Sequence, residues 1–131
     1  MSGNKAILDS NLLIFLSKEM IDRRKLYSKY DEFCVSIITY MEVYAFDFPD
    51  KTQKDSLDET FANLEIIEIN REIADQAVVY RKNKSKKIKL PDAIILATAK
   101  YLNADLLTDD WDDFQNIDSS VSVLNLNDLK I

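Results

Sequence analysis

Three carboxylates in this chain stand alone among apolar neighbours. Asp9 is the only charged residue between Lys5 and Lys18, Glu42 the only one between Glu32 and Asp47, and Asp92 the only one between Lys89 and Lys100, although 31% of the residues are charged. A further group, Asp109, Asp110, Asp112 and Asp113, crowds between Thr108 and Phe114. Burying an unpaired carboxylate is costly enough that the group either neutralises or finds a partner. With no histidine in the chain and few lysines in these runs, a divalent cation is the economical partner, because it also gathers acids that otherwise repel one another. Carboxylate oxygens are hard ligands, which points to magnesium or manganese.

Each acid also admits a plainer role. Asp9 suits a helix cap, Asp92 a first-turn acid near the positive end of a helix, and Asp110 to Asp113 a solvated turn. Glu42 fits such a role least, since it stands about a turn into an almost wholly apolar helical run. Three lone acids and a fourth cluster, brought to one edge of a sheet, favour metal.

Composition narrows the chemistry further. The absence of histidine excludes imidazole catalysis, and the single glycine, Gly3, leaves no internal Gly-rich loop to cradle a nucleotide phosphate. A zinc site of nitrogen and sulfur ligands is likewise out of reach. Cys34 is the only cysteine, consistent with a reducing compartment, and no apolar run approaches the roughly 20 residues of a membrane span. The expectation is a cytoplasmic, soluble protein of one domain over residues 1–131. The net charge of −6 argues against a surface that grips nucleic acid everywhere, while leaving room for a local basic patch.

The elements that must position these acids follow from the patterning. Lys5 to Leu8 reads as a strand, followed by capping residues Asp9, Ser10 and Asn11 and an apolar helical run over Leu12 to Leu16. Glu19 to Tyr30 reads as a more exposed helix, Phe33 to Ile37 as a second strand, and Thr39 to Phe46 as a helix carrying Glu42 and closed by Pro49. Asp50 to Asn63 is an amphipathic helix, Leu64 to Ile69 a third strand, and Arg71 to Tyr80 a helix. The stretch from Arg81 to Lys89 holds six basic residues and no acid, and it reads as a loop beside the site. Pro91 opens the next helix, whose inner stripe runs Asp92, Ile95, Leu96, Ala99 and Leu102. Asp105 to Thr108 and Val121 to Leu126 read as the last two strands. Strands alternating with helices imply a mainly parallel sheet covered on both faces, with ligands bound beyond the carboxyl ends of the strands.

Ile7-Leu8-Asp9-Ser10-Asn11, Thr39 to Glu42, Leu90 to Ala99 and Leu106 to Phe114 together resemble, in order and spacing, the PIN-domain ribonucleases, in particular the VapC-type toxins of bacterial and archaeal toxin–antitoxin pairs. The resemblance implies a three-layer α/β/α domain and a magnesium- or manganese-dependent endoribonuclease. It also implies Asp9, Glu42 and Asp92 as metal ligands, the fourth acid being Asp110, Asp113 or both. Ser10 stands where the family often has Thr and keeps the hydroxyl; Asn11 completes that turn, and Thr108 is placed to position a ligand or a water. The crowding of four aspartates after Thr108 departs from the family's pattern. Partners implied are RNA, a masking antitoxin and a second copy of the chain, with Leu12 to Leu16 and Tyr40 to Phe48 as candidate contacts. Arg81, Lys82, Lys84, Lys86 and Lys87 are candidates for tracking RNA phosphates, and a solvated lysine run is the plain alternative. Two other functions stay open: a haloacid-dehalogenase-type phosphohydrolase with Asp9 as nucleophile, although Asn11 stands where that class carries a second Asp, and a non-catalytic binding module of the same fold.

Overall fold

The computed structural model describes residues 4–131, in which five parallel strands form one sheet in the order β3-β2-β1-β4-β5. The strands are β1 (Lys5–Leu8), β2 (Glu32–Ser36), β3 (Glu65–Ile67), β4 (Asp105–Thr108) and β5 (Val123–Asn125). The helices are α1 (Ser10–Ser17), α2 (Arg23–Lys29), α3 (Ile37–Tyr44), α4 (Lys51–Ala62), α5 (Arg71–Arg81), α6 (Leu90–Leu102) and the single turn α7 (Trp111–Phe114). A parallel sheet needs helical crossovers, and these cover both of its faces. The result is a three-layer α/β/α fold.

The alternation along the central strands divides the core in two. Ala6 and Leu8 of β1, Val35 of β2 and Leu107 of β4 pack with Leu12, Leu13, Leu16, Leu26, Val43 and Leu57. Ile7, Cys34 and Leu106 point to the other face, against Ile73, Ala77, Tyr80, Ile95 and Leu96. Because both faces of these strands are buried, a slip of one residue would exchange the two cores, and the register Ile7↔Leu106, Leu8↔Leu107 is strongly specified.

Several boundaries depart from the patterning. The helix expected over Glu19 to Tyr30 begins only at Arg23, where Asp22 accepts hydrogen bonds from the N–H groups of Arg24 and Lys25, and Glu19 lies outside it with a positive φ of 59°. The α3 helix starts at Ile37, capped by Ser36, and ends at Tyr44, so Pro49 does not close it. The first residue of α6 is Leu90, with Pro91 second. Asn103 adopts the left-handed conformation (φ 54°, ψ 47°) that ends α6, which Asn tolerates better than most residues. The third and fifth strands are shorter than expected, and the single turn α7 was not anticipated.

Candidate functional site

The order in which strands are added to the sheet reverses between β1 and β4. From β1 the chain builds outward through β2 to β3, then crosses to lay β4 on the other side of β1. At such a switch point the loops leaving neighbouring strands diverge and open a crevice at their carboxyl ends. Asp9 follows β1 and Asp110 comes two residues after β4, so both stand at this crevice.

Asp9 caps α1, and the residue is 4% exposed. Its Oδ1 accepts from the Leu12 N–H at 3.2 Å, and its Oδ2 accepts from the Thr108 hydroxyl. The Asp9 N–H also donates to the Leu107 carbonyl at 3.3 Å, stitching the two strands together just beyond their ladder. Thr108 is fully buried, and its hydroxyl oxygen accepts from the Asp110 N–H at 2.9 Å, so one side chain sets the position of two acids. Asn11 Nδ2 donates to Asp110 Oδ2 at 3.2 Å across the same crevice.

Burial lifts the Asp9 carboxyl to about 6; the Thr108 and Leu12 hydrogen bonds oppose this, and repulsion from Asp110 and Asp109 adds to it. Asp92, half-buried in the first turn of α6, is pushed up to about 6 by desolvation, then by Asp113, Glu42 and Asp110, with relief from Lys89. Asp110 is raised by desolvation and by Asp113 and Asp109, again eased by Lys89. Glu42, on α3, is open to solvent as a residue, yet the protein around its carboxyl still pushes its pKa up. Repulsion thus links Asp92 on α6 to Glu42 on α3 and to Asp110 and Asp113 after β4, and links Asp9 to Asp109 and Asp110. Among the described residues, no three of them stand close enough, as placed, to enclose an ion. The fit to a divalent cation is therefore one of donor chemistry: hard oxygens, like charges that raise one another, and a buried carboxylate, Asp9, that forms no ion pair among the described residues.

A family model described as the PIN domain matches residues 6–119. The chain belongs to the PIN-domain family. It is VapC-like in fold: a toxin–antitoxin complex from Klebsiella pneumoniae is 32% identical, with a TM-score of 0.73 over 91% of this chain and 95% of that one. VapBC2 from Rickettsia felis, bound to a promoter DNA fragment, is 21% identical with a TM-score of 0.77 over 92% of this chain and 98% of that one. DNA-bound VapBC from Salmonella typhimurium is 20% identical with a TM-score of 0.77 over 94% of this chain and 98% of that one. A search of curated proteins gave no match.

The remaining expected residues of this PIN domain separate into groups. Ser10 is half-buried at the first position of α1. In the basic stretch, Lys86 Nζ donates to the Asp112 and Gln115 carbonyls, the latter at 2.7 Å, and so ties the loop to α7. Arg81 ends α5 and donates to the Ile88 carbonyl at 2.8 Å, while Lys82, Lys84 and Lys87 are exposed. Of the candidate contact residues, Leu12, Leu13 and Leu16 are core, whereas Tyr40, Met41 and Phe46 are exposed. Sequence reasoning missed the Asn11–Asp110 bridge and the docking of Lys86. Asn11 carried a signal in its place two residues after Asp9; Lys86 carried none that separated it from its neighbours.

Proposed function

We propose that this PIN domain, acting as one unit over residues 1–131, is a magnesium- or manganese-dependent endoribonuclease and the toxin of a toxin–antitoxin pair. The reading is supported by the PIN-domain match together with the electrostatic linkage of Asp92 to Glu42, Asp110 and Asp113, and of Asp9 to Asp109 and Asp110, at the carboxyl end of the sheet. Asp9, Glu42 and Asp92 would hold the cation, with Asp110, Asp113 or both completing the set. A bound cation would supply Lewis-acid polarisation of a phosphodiester and a water acidified towards hydroxide. The chain's own residues do the positioning: Thr108 and the Leu12 N–H orient the two oxygens of Asp9, and Asn11 orients Asp110. One of these carboxylates would also accept the proton released by the attacking water.

Both oxygens of Asp9 are engaged and the group is buried, which suits a fixed ligand and not a nucleophile that must reach a phosphorus atom. This weighs against the phosphohydrolase. The exposed Lys82, Lys84 and Lys87 on the loop before α6 would meet RNA phosphates. A second copy and an antitoxin are the expected protein partners, the exposed Tyr40, Met41 and Phe46 on and beside α3 being apolar surface open to either. No described helix is long and apolar enough to cross a membrane.

The test is cleavage of end-labelled RNAs, including a transfer RNA pool, with magnesium, manganese or chelator, beside Asp9→Asn and Asp92→Asn. Cuts that need the metal and vanish in both variants are expected. Equal cutting by wild type and variants would sink the proposal, since it would trace the activity to a contaminant.

A further inference from the structure

The sole tryptophan of the chain, Trp111, opens α7 directly after Asp110 and is 38% exposed. Three residues on, Phe114 is 2% exposed and supplies the apolar anchor of this turn, so the core does not need the indole. The ring is nonetheless held: its N–H donates to the Val123 carbonyl on the edge strand β5 at 3.0 Å. Beside it lies a hollow of about 270 Å3 lined by Asp109 to Asp113 and by Asn125. An exposed aromatic fixed by its polar atom is unusual as packing. It is well suited as a stacking platform, because little freedom is lost when a second ring settles on it.

Resting on the nuclease reading above, we propose that Trp111 is a specificity-determining residue that stacks one nucleobase of the RNA beside the carboxylate site. The lining decides which part of a nucleotide enters. Asp109 and Asp112, which the cation set leaves out, repel phosphate, so the backbone keeps to the side of Asp110 and Asp113, where the cation would sit, and the base goes in. Ionised carboxylates only accept hydrogen bonds, and therefore select donor-bearing base edges. Asp109 is engaged by Lys130 and Asp112 by Gln115, each of which fixes an acceptor in place. Asn125 Oδ1 takes the Asn127 N–H and leaves its NH2 as the donor. A base with both an amino group and acceptors satisfies this lining. Guanine, whose N1–H and 2-amino group can donate side by side to one carboxylate, fits best, and uracil, with no amino group, fits worst.

Because Trp111 is the only tryptophan, its fluorescence reports on the subsite without any need for cleavage. The probes are short 2′-O-methyl uridine oligomers carrying U, C, A or G at the centre, titrated in chelator onto the full chain. Quenching that is strongest with central G and weakest with U is expected. The paired experiment measures cleavage of the corresponding ribo-oligomers in manganese. Trp111→Ala should lower kcat/KM for the preferred base roughly 5- to 100-fold and flatten the base preference, while Trp111→Phe retains most of both. Equal melting temperatures of the two variants exclude misfolding as the cause. Quenching without cleavage would uphold the subsite while the nuclease reading fails. Cleavage with an unchanged base preference in Trp111→Ala, and no quenching in wild type, would overturn the subsite while the nuclease stands.

Discussion

Asp9→Asn removes one negative charge and almost no volume from the end of the central strand. In the wild-type protein Asp9 is 4% exposed and its carboxyl is lifted to about 6, against roughly 3.9 in an unfolded chain. A lift of about two units means that keeping this group ionised at pH 7.5 costs on the order of 3 kcal/mol of folding stability. The amide removes that cost but has one acceptor where the carboxylate has two, and both are in use, by the Leu12 N–H and the Thr108 hydroxyl. Losing one such bond costs about 1 kcal/mol. In chelator at pH 7.5, Asp9→Asn should therefore be more stable than wild type by roughly 2 kcal/mol, a rise in Tm of about 5 to 10 °C for a domain of this size.

The sign of the pH dependence follows from the same shift. A carboxyl raised in the folded state binds more protons there than in the unfolded chain between about pH 4 and 6, so its stabilising effect is complete below pH 4 and disappears as pH rises through 6. The gap between variant and wild type should close on acidification and reverse slightly near pH 4, where only the lost hydrogen bond remains. Added manganese should raise the Tm of the wild type alone, by up to about 2.7 kcal/mol of stability at a hundredfold excess over its Kd. Thermal denaturation at three pH values, with and without manganese, checks all of this. A variant less stable than wild type by the same amount at every pH would refute the reasoning and reduce Asp9 to a helix cap.

Thr108→Val keeps the shape and removes the hydroxyl that serves Asp9 and Asp110; it should destabilise by about 1 to 3 kcal/mol in denaturant titration and weaken manganese binding by calorimetry. Lys86→Met should loosen α7 and lower cleavage through kcat more than KM, with Lys86→Arg restoring part of it; a change confined to KM would place Lys86 on the RNA and not on α7. Burial disfavours the Asp118 anion, but hydrogen bonds from the Ser120 hydroxyl, Tyr80, the Ser120 N–H and Lys100 outweigh it and hold the carboxyl below its usual range. Its stabilising effect is present above about pH 4 and lost as pH falls through the depressed value, so Asp118→Asn should cost stability at pH 7 and progressively less below pH 4.

What the sequence made legible was whatever depends on local chemistry. Asp9, read as a capping residue after the first strand, accepts from the Leu12 N–H, and capping of this kind is written within three residues, whereas the caps Ser36 and Asn70 were not read. The runs around Asp9, Glu42 and Asp92 were visible because a lone charge in an apolar stretch conflicts with its surroundings. Strand length at the edges was not legible, since Glu65–Ile67 and Val123–Asn125 end where partner strands end, not where β-propensity does. The start of α2 was hidden because a charged segment carries no clear helical stripe. Long-range pairings such as Asn11 with Asp110, 99 residues apart, depend on strand order, which patterning does not supply.

Strand order also explains why the acids differ in rigidity. Asp9 is tied to β4 through the Leu107 carbonyl and the Thr108 hydroxyl, and Asp110 is tied to α1 through Asn11, so the two strands flanking the switch point hold this pair from both sides. Glu42 and Asp92 sit on helices that pack against each other, and no side-chain hydrogen bond holds either carboxyl among the described residues. A cation entering such a site meets one fixed pair and two side chains with rotamers still to choose. Binding would then order Glu42 and Asp92 at an entropic cost that Asp9 does not carry. Asp92→Asn should accordingly reduce metal affinity less than Asp9→Asn does, by calorimetry at one pH. The reverse ranking would place the organising ligand on α6 and not at the end of the central strand.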